Sequence, residues 1–102
     1  MKEEIKNAVI EDTMLGFEDH GIPTLSLVFD FGDGAHQGSV GYHLGGIYME
    51  QQVLGILKTL DVRNWESLKG QRVRIKRLEG WNGKITAVGH FMKDEWHNFK
   101  PN

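Results

Sequence analysis

A period of two runs from Thr24 to Phe31. Leu25, Leu27, Phe29 and Phe31 fall on one side, and Thr24, Ser26, Val28 and Asp30 on the other. Alternation of this kind predicts a half-buried strand. The same period returns over residues 36–44, where Gln37, Ser39, Gly41 and His43 interleave with Gly38, Val40, Tyr42 and Leu44. Gly32-Asp33-Gly34 between the two carries the Asp-Gly hairpin signal. Upstream, residues 5–15 read as a first strand, with apolar pairs at Val9-Ile10 and Met14-Leu15. Residues 16–23 mix glycines, carboxylates and a proline, and so predict a loop.

The period changes once. Over residues 48–60, Met49, Val53, Ile56, Leu57 and Leu60 recur at helical spacing, while Glu50, Gln51, Lys58 and Thr59 lie mainly off that stripe. Glu50 in the first turn and Lys58 in the last suit the helix dipole. Asn64 to Leu68 predicts a short capped turn, with Gly70 as its stop. Residues 72–78 and 84–91 return to strand patterning, joined through Glu79-Gly80-Trp81-Asn82-Gly83, and the tail from Met92 is polar and aromatic. Three strands, one helix and two strands make an α+β order: an antiparallel, curled sheet or small partly open barrel of about five strands packed on one main helix. A doubly wound parallel sheet would need alternating strands and helices. At 102 residues, without repeats or a linker, residues 1–102 are expected to form a single domain.

Composition narrows the classes further. Without cysteine, disulfides, thiolate metal sites and a cysteine nucleophile are excluded. The charged start Met1-Lys2-Glu3-Glu4-Ile5-Lys6 lacks the apolar core of a signal peptide, and no apolar run approaches the ~20 residues that span a bilayer. The expectation is a cytoplasmic protein with no membrane partner. A net charge of −2 hides an uneven split. Residues 1–50 hold two lysines against nine carboxylates, whereas residues 51–102 hold ten lysines and arginines against five. Such a split suits a nucleic-acid contact in the basic half, or docking of one half or subunit on another.

The basic half has one sharp feature. In Arg72-Val73-Arg74-Ile75-Lys76-Arg77, strand geometry sends Arg72, Arg74 and Lys76 to one face and Val73 and Ile75 to the other. Three cations in a row suit phosphate oxygens, and Trp65 and Trp81 nearby could stack on a base. A row of cations is also ordinary protection of an edge strand. The loop Glu18-Asp19-His20 offers polar ligand contacts, or is simply a polar turn capping its own amides. Its carboxylates and imidazole could supply an acid–base pair or hard metal ligands, and His20 and His43 with Asp30 or Asp33 could form a site if they converged.

The five histidines otherwise lack metal-site spacing, so no metal is expected. Gly45-Gly46 before the helix could cradle an anion but fits neither phosphate-loop pattern. The serines have no nucleophile-elbow context. Neither catalytic residues nor a cofactor are expected. A wide helix stripe extended by Leu54, with Tyr48, Trp65, Trp81 and Trp96, exceeds what one sheet covers, which predicts a homo-oligomer, in the simplest case a dimer.

Several short motifs belong together: Leu15-Gly16-Phe17-Glu18-Asp19-His20-Gly21-Ile22 with Thr24; Gly41-Tyr42-His43-Leu44; Asn64-Trp65-Glu66-Ser67-Leu68-Lys69-Gly70 with Val73-Arg74; Gly89-His90-Phe91; and Lys93-Asp94-Glu95-Trp96. The pattern resembles a family of small, largely uncharacterised proteins of bacteriophages and prophages, and covers most of the chain. His36-Gln37-Gly38-Ser39-Val40 departs from it where a more glycine- and aromatic-rich stretch is expected, and the segment between Leu44 and the helix is short. The resemblance implies a phage accessory protein, cytoplasmic in its host bacterium, that counters host defence by binding a nucleotide signal or a defence protein. A single-stranded nucleic-acid binder is the alternative, and a metal-dependent enzyme on Asp19, His20 and His43 a third.

Overall fold

The computed structural model describes residues 3–32, 37–43, 48–78 and 84–99. Among the described residues six strands, one α-helix and one short 3-10 turn follow in order: β1 (Glu3–Phe17), β2 (Pro23–Asp30), β3 (Gln37–His43), α1 (Tyr48–Leu60), the turn Trp65–Ser67, β4 (Arg72–Leu78), β5 (Ile85–His90) and β6 (Trp96–Asn98). The first strand is longer at both ends than its apolar pairs indicate. Tertiary pairing, not local pattern, sets its length: Phe17 is held by register with Pro23 and Glu3 by register with Leu78. The sixth strand, Trp96–Asn98, lies in the tail whose polar and aromatic composition gave no strand signal. The Asp33-Gly34 turn, Gly45-Gly46, His36 and Trp81 lie outside the described residues.

All pairings are antiparallel, in the order β3-β2-β1-β4-β5-β6. The central strand changes neighbour along its length. Glu3 to Val9 pair with β4, and Val9 to Phe17 pair with β2. Near the start of the second stretch the register slips, from Ile10 opposite Phe29 to Asp12 opposite Val28, leaving Glu11 as the extra residue of a bulge. A bulge sharpens local twist and bends its strand, and the sheet curls accordingly. β3 approaches β5, although three strands separate them in the sheet order.

One face of the curled sheet carries the core. Ala8 and Ile10, Leu25, Leu27 and Phe29, Val73 and Ile75, and Ile85 and Val88 are all buried there. Ile56 and Leu60 of α1, with Leu68 and Phe99, belong to the same cluster. Burying a side chain of this size is worth about 1.5–3 kcal/mol, so the alternation in β2 and β4 is the main determinant of which face turns inward. α1 ends where Asp61 adopts a left-handed backbone (φ 58°) and the Val62 amide bonds back to the Leu57 carbonyl at 3.0 Å, an arrangement that satisfies the last carbonyls. Asn64 then caps the 3-10 turn through its Oδ1, which accepts from the Ser67 amide at 3.0 Å. Gly70, with φ 91°, swings the chain back so that its amide donates to the Ile10 carbonyl at 2.8 Å. Few residues but glycine take that φ without strain.

Candidate binding surface

Register alone builds the outer face around β4. Arg72 lies beside Val9, Arg74 between Asn7 and Gly89, and Lys76 between Ile5 and Ala87. Gly89 in turn faces Trp96, and Ala87 faces Asn98. The three cations thus share one face, as their spacing predicts, with Val73 and Ile75 buried behind them. Among the described residues none of the three forms a salt bridge.

The aromatic partner of this row is Trp96. A Cβ built on Gly89 would lie 2.6–2.8 Å from three atoms of the Trp96 indole, so the ring rests on the bare backbone of that glycine. An aromatic laid over a glycine on the neighbouring strand restores the packing that the missing side chain gives up. Lys76 Nζ sits 4.3 Å and the Arg74 guanidinium 4.8 Å from the ring centroid, each a cation–π contact worth about 0.5–1 kcal/mol at a partly exposed site. The indole Nε1 donates to Asp94 Oδ1 at 3.1 Å. A Trp directly after the Asp94-Glu95 pair gave no strand signal, but a lone glycine in β5 facing the tail was the available clue.

Arg74 is engaged elsewhere as well. Its Nε donates to the His90 carbonyl at 3.0 Å and its Nη2 to the Lys93 carbonyl at 2.7 Å. Inside the same turn His90 Nδ1 accepts from the Met92 and Lys93 amides, each at 3.0 Å. Arg74 therefore ties β4 to the 91–95 turn that delivers Trp96. Arg72 is exposed at the strand end, and Lys76 is half-buried against the indole.

The Glu18–His20 loop is organised by one carboxylate. Glu18 Oε1 accepts from the His20 amide at 2.5 Å and the Ile22 amide at 3.4 Å, while Oε2 lies 3.1 Å from His20 Nδ1. Backbone bonds from Glu18 N to Ile22 O and from Gly21 N to Glu18 O close the turn. Asp19 and His20 are exposed, His20 with 83% of its side chain accessible. This loop joins β1 to β2, whereas the cationic row lies on the part of β4 that pairs with the other half of β1.

Trp65 packs half-buried against the core cluster, its Nε1 buried without a partner. Among the described residues its ring makes no cation–π contact with the cationic row. A second cation–aromatic group, missed in the pattern, stands at the other end of β4: Lys6 and Arg77 both lie over Phe31, at 5.5 and 5.3 Å, and Arg77 pairs with Glu4. Among the described residues no three histidine or carboxylate side chains gather as metal ligands.

Away from these surfaces, His97 Nε2 donates to Gln52 Oε1 at 2.8 Å, linking β6 to α1. Burial lowers the His97 pKa below its ordinary value. No family model matches the chain, and no curated protein matches it.

Proposed function

We propose that this chain is a non-enzymatic binding module of phage or prophage origin whose outer sheet face receives a phosphate-bearing nucleotide signal of the host's defence. One observation carries the reading: three cations in a row share a sheet face with an indole and have no salt-bridged carboxylate among the described residues. Unneutralised positive charge fixed beside an aromatic ring favours an anion that also has a planar base. Arg72 and Lys76 supply phosphate contacts. Arg74 contributes charge but mainly holds the turn, and Trp96 takes the stacking role expected of Trp65. Trp81 and the Glu18–His20 loop remain proposed ligand contacts of the same protein. The protein works in the host cytoplasm in this reading, and among the described residues no helix is long and apolar enough to cross a membrane.

The finer architecture fits a binder. Closing the curl between β3 and β5 gives a small barrel, with α1 seated on its inner face between β3 and β4, the connectivity of OB-type folds. Such barrels often hold oligonucleotides, so this topology favours the second reading, a single-stranded nucleic-acid binder; fold alone does not decide function. In OB-type barrels the β1–β2 loop borders the ligand, and here that loop carries Glu18, Asp19 and His20, acceptors suited to the hydroxyls and base edge of a single nucleotide and less suited to a continuous phosphate backbone.

A homodimer completes the proposal. Phe17 is 73% exposed, with Leu15 and Ile22 exposed on the same hairpin, an apolar surface that a second copy would cover.

Native mass spectrometry of untagged protein from bacteria that express nucleotide-based defence tests the ligand. An adduct of nucleotide mass that disappears in an Arg72→Ala, Lys76→Ala double variant is the expected result. If no adduct forms and affinity for oligonucleotides rises with length and falls steeply with salt, the second reading replaces the first.

A further inference from the structure

Beside the outer face, a half-open depression is lined by Leu60, Gly70, Gln71, Arg72, His90 and Phe91. It lies where the end of α1, the start of β4 and the end of β5 meet. Around it the polar groups divide into two kinds. Most are engaged: Arg74 on two carbonyls, Lys93 with Asp61 at 3.6 Å, and the Trp96 indole on Asp94. The carbonyl end of α1 is likewise closed by its own turn. Three donors on the lining are not. The Arg72 guanidinium and the Gln71 side-chain amide make no hydrogen bond or ion pair with a described residue, nor does His90 Nε2.

The state of His90 follows from its partners. Nδ1 accepts two backbone N–H bonds, so it holds a lone pair, and the neutral ring carries its proton on Nε2. His90 is thereby fixed as a donor on the lining of the depression. A guanidinium, an amide and an imidazole on a lining shared with Leu60 and Phe91 match an oxyanion carried on an apolar or planar group. We propose that this depression is a second binding site, for a small oxyanion (phosphate monoester or carboxylate) whose attached group lies against Phe91. It needs neither Lys76 nor Trp96.

Titration of the ¹⁵N-labelled protein with phenyl phosphate, benzoate and inorganic phosphate, followed by amide chemical shifts, tests the site. Saturable shifts confined to Gln71, Arg72, His90, Phe91 and their neighbours are expected, with inorganic phosphate weaker for want of the ring. The stronger of phenyl phosphate and benzoate tells which oxyanion the site prefers. His90→Asn keeps an acceptor for the Met92 and Lys93 amides but deletes the Nε2–H, and should weaken binding about tenfold, the loss of one good hydrogen bond. Lys84→Ala, an exposed lysine just ahead of β5 and away from His90, should leave affinity unchanged. Shifts that never saturate, that spread over the lysines, or that survive His90→Asn undiminished would overturn the site. Loss on Lys76→Ala would assign the binding to the outer face instead.

Discussion

At Gly55 two rules of helix chemistry pull in opposite directions. Glycine inside a helix costs about 1 kcal/mol relative to alanine, so Gly55→Ala should stabilise α1. A Cβ there would nevertheless lie 2.6 Å from Nδ1 and 2.7 Å from Cε1 of His97. That ring is held by Gln52 on one side and meets Phe99 edge-on at 5.6 Å between centroids. Overpacking a held ring costs about 1–3 kcal/mol, enough to reverse the sign. Gly55→Ala should therefore lower stability in urea unfolding by about 1 kcal/mol, and the same change in a His97→Ala background should raise it. A stabilising single variant would show that the ring does not rest on Gly55.

His97 also sets a pH dependence. Its folded pKa is lowered by burial, whereas the unfolded chain titrates near the ordinary value of about 6.5. Below that pH the unfolded state takes up a proton that the folded state resists, so stability falls as pH drops through and below about 6.5. Above it the contribution is constant. Urea midpoints measured from pH 8 to pH 5 should decline, and His97→Gln should flatten part of the decline. An unchanged slope would mean that other groups carry it.

Single strands show what the sequence could and could not reveal. The period-two stretch of β2 identified Leu25, Leu27 and Phe29 as the inward residues, and all three are fully buried. The helix stripe likewise located Ile56 and Leu60. Local pattern could not reveal β6, because three residues are too few to show a period, or the true length of β1, which its partners decide. The cationic row was legible from spacing alone. Its aromatic neighbour was not, since that depends on a pairing seven residues away between Gly89 and Trp96. Filling that seat with Gly89→Val should displace the indole, lower stability by about 1–3 kcal/mol, and shift Trp96 emission to the red in a Trp65→Phe, Trp81→Phe background. Unshifted emission would place the indole elsewhere.

For the molecule as a whole, the uneven charge along the sequence becomes an uneven charge in space. The hairpin of β1 and β2 carries Glu11, Asp12, Glu18 and Asp19, and the face of β4 carries Arg72, Arg74 and Lys76. Ile5, Val9, Leu54 and Met92 are exposed elsewhere, and the acidic hairpin exposes Met14, Leu15, Phe17 and Ile22, an apolar stretch around its turn. If a second copy covers it, Phe17→Lys should reduce the mass measured by light scattering to that of one chain, with the circular dichroism spectrum retained. A wild-type mass already equal to one chain would remove the homodimer from the proposal.

The long central strand has a consequence that amide exchange can read. Its first part is laddered to β4 and its last part to β2; Val9 belongs to both, and Ile10 also bonds to Gly70 and Gln71 just ahead of β4. Each part shares the fate of its own neighbour, since an amide exchanges when the ladder holding it opens. Deuterium uptake along this one continuous strand should therefore divide at Val9 into two rates, Lys6 keeping time with Ile75 and Leu15 with Leu25. The strand is a single element in geometry and two elements in the lifetime of its hydrogen bonds.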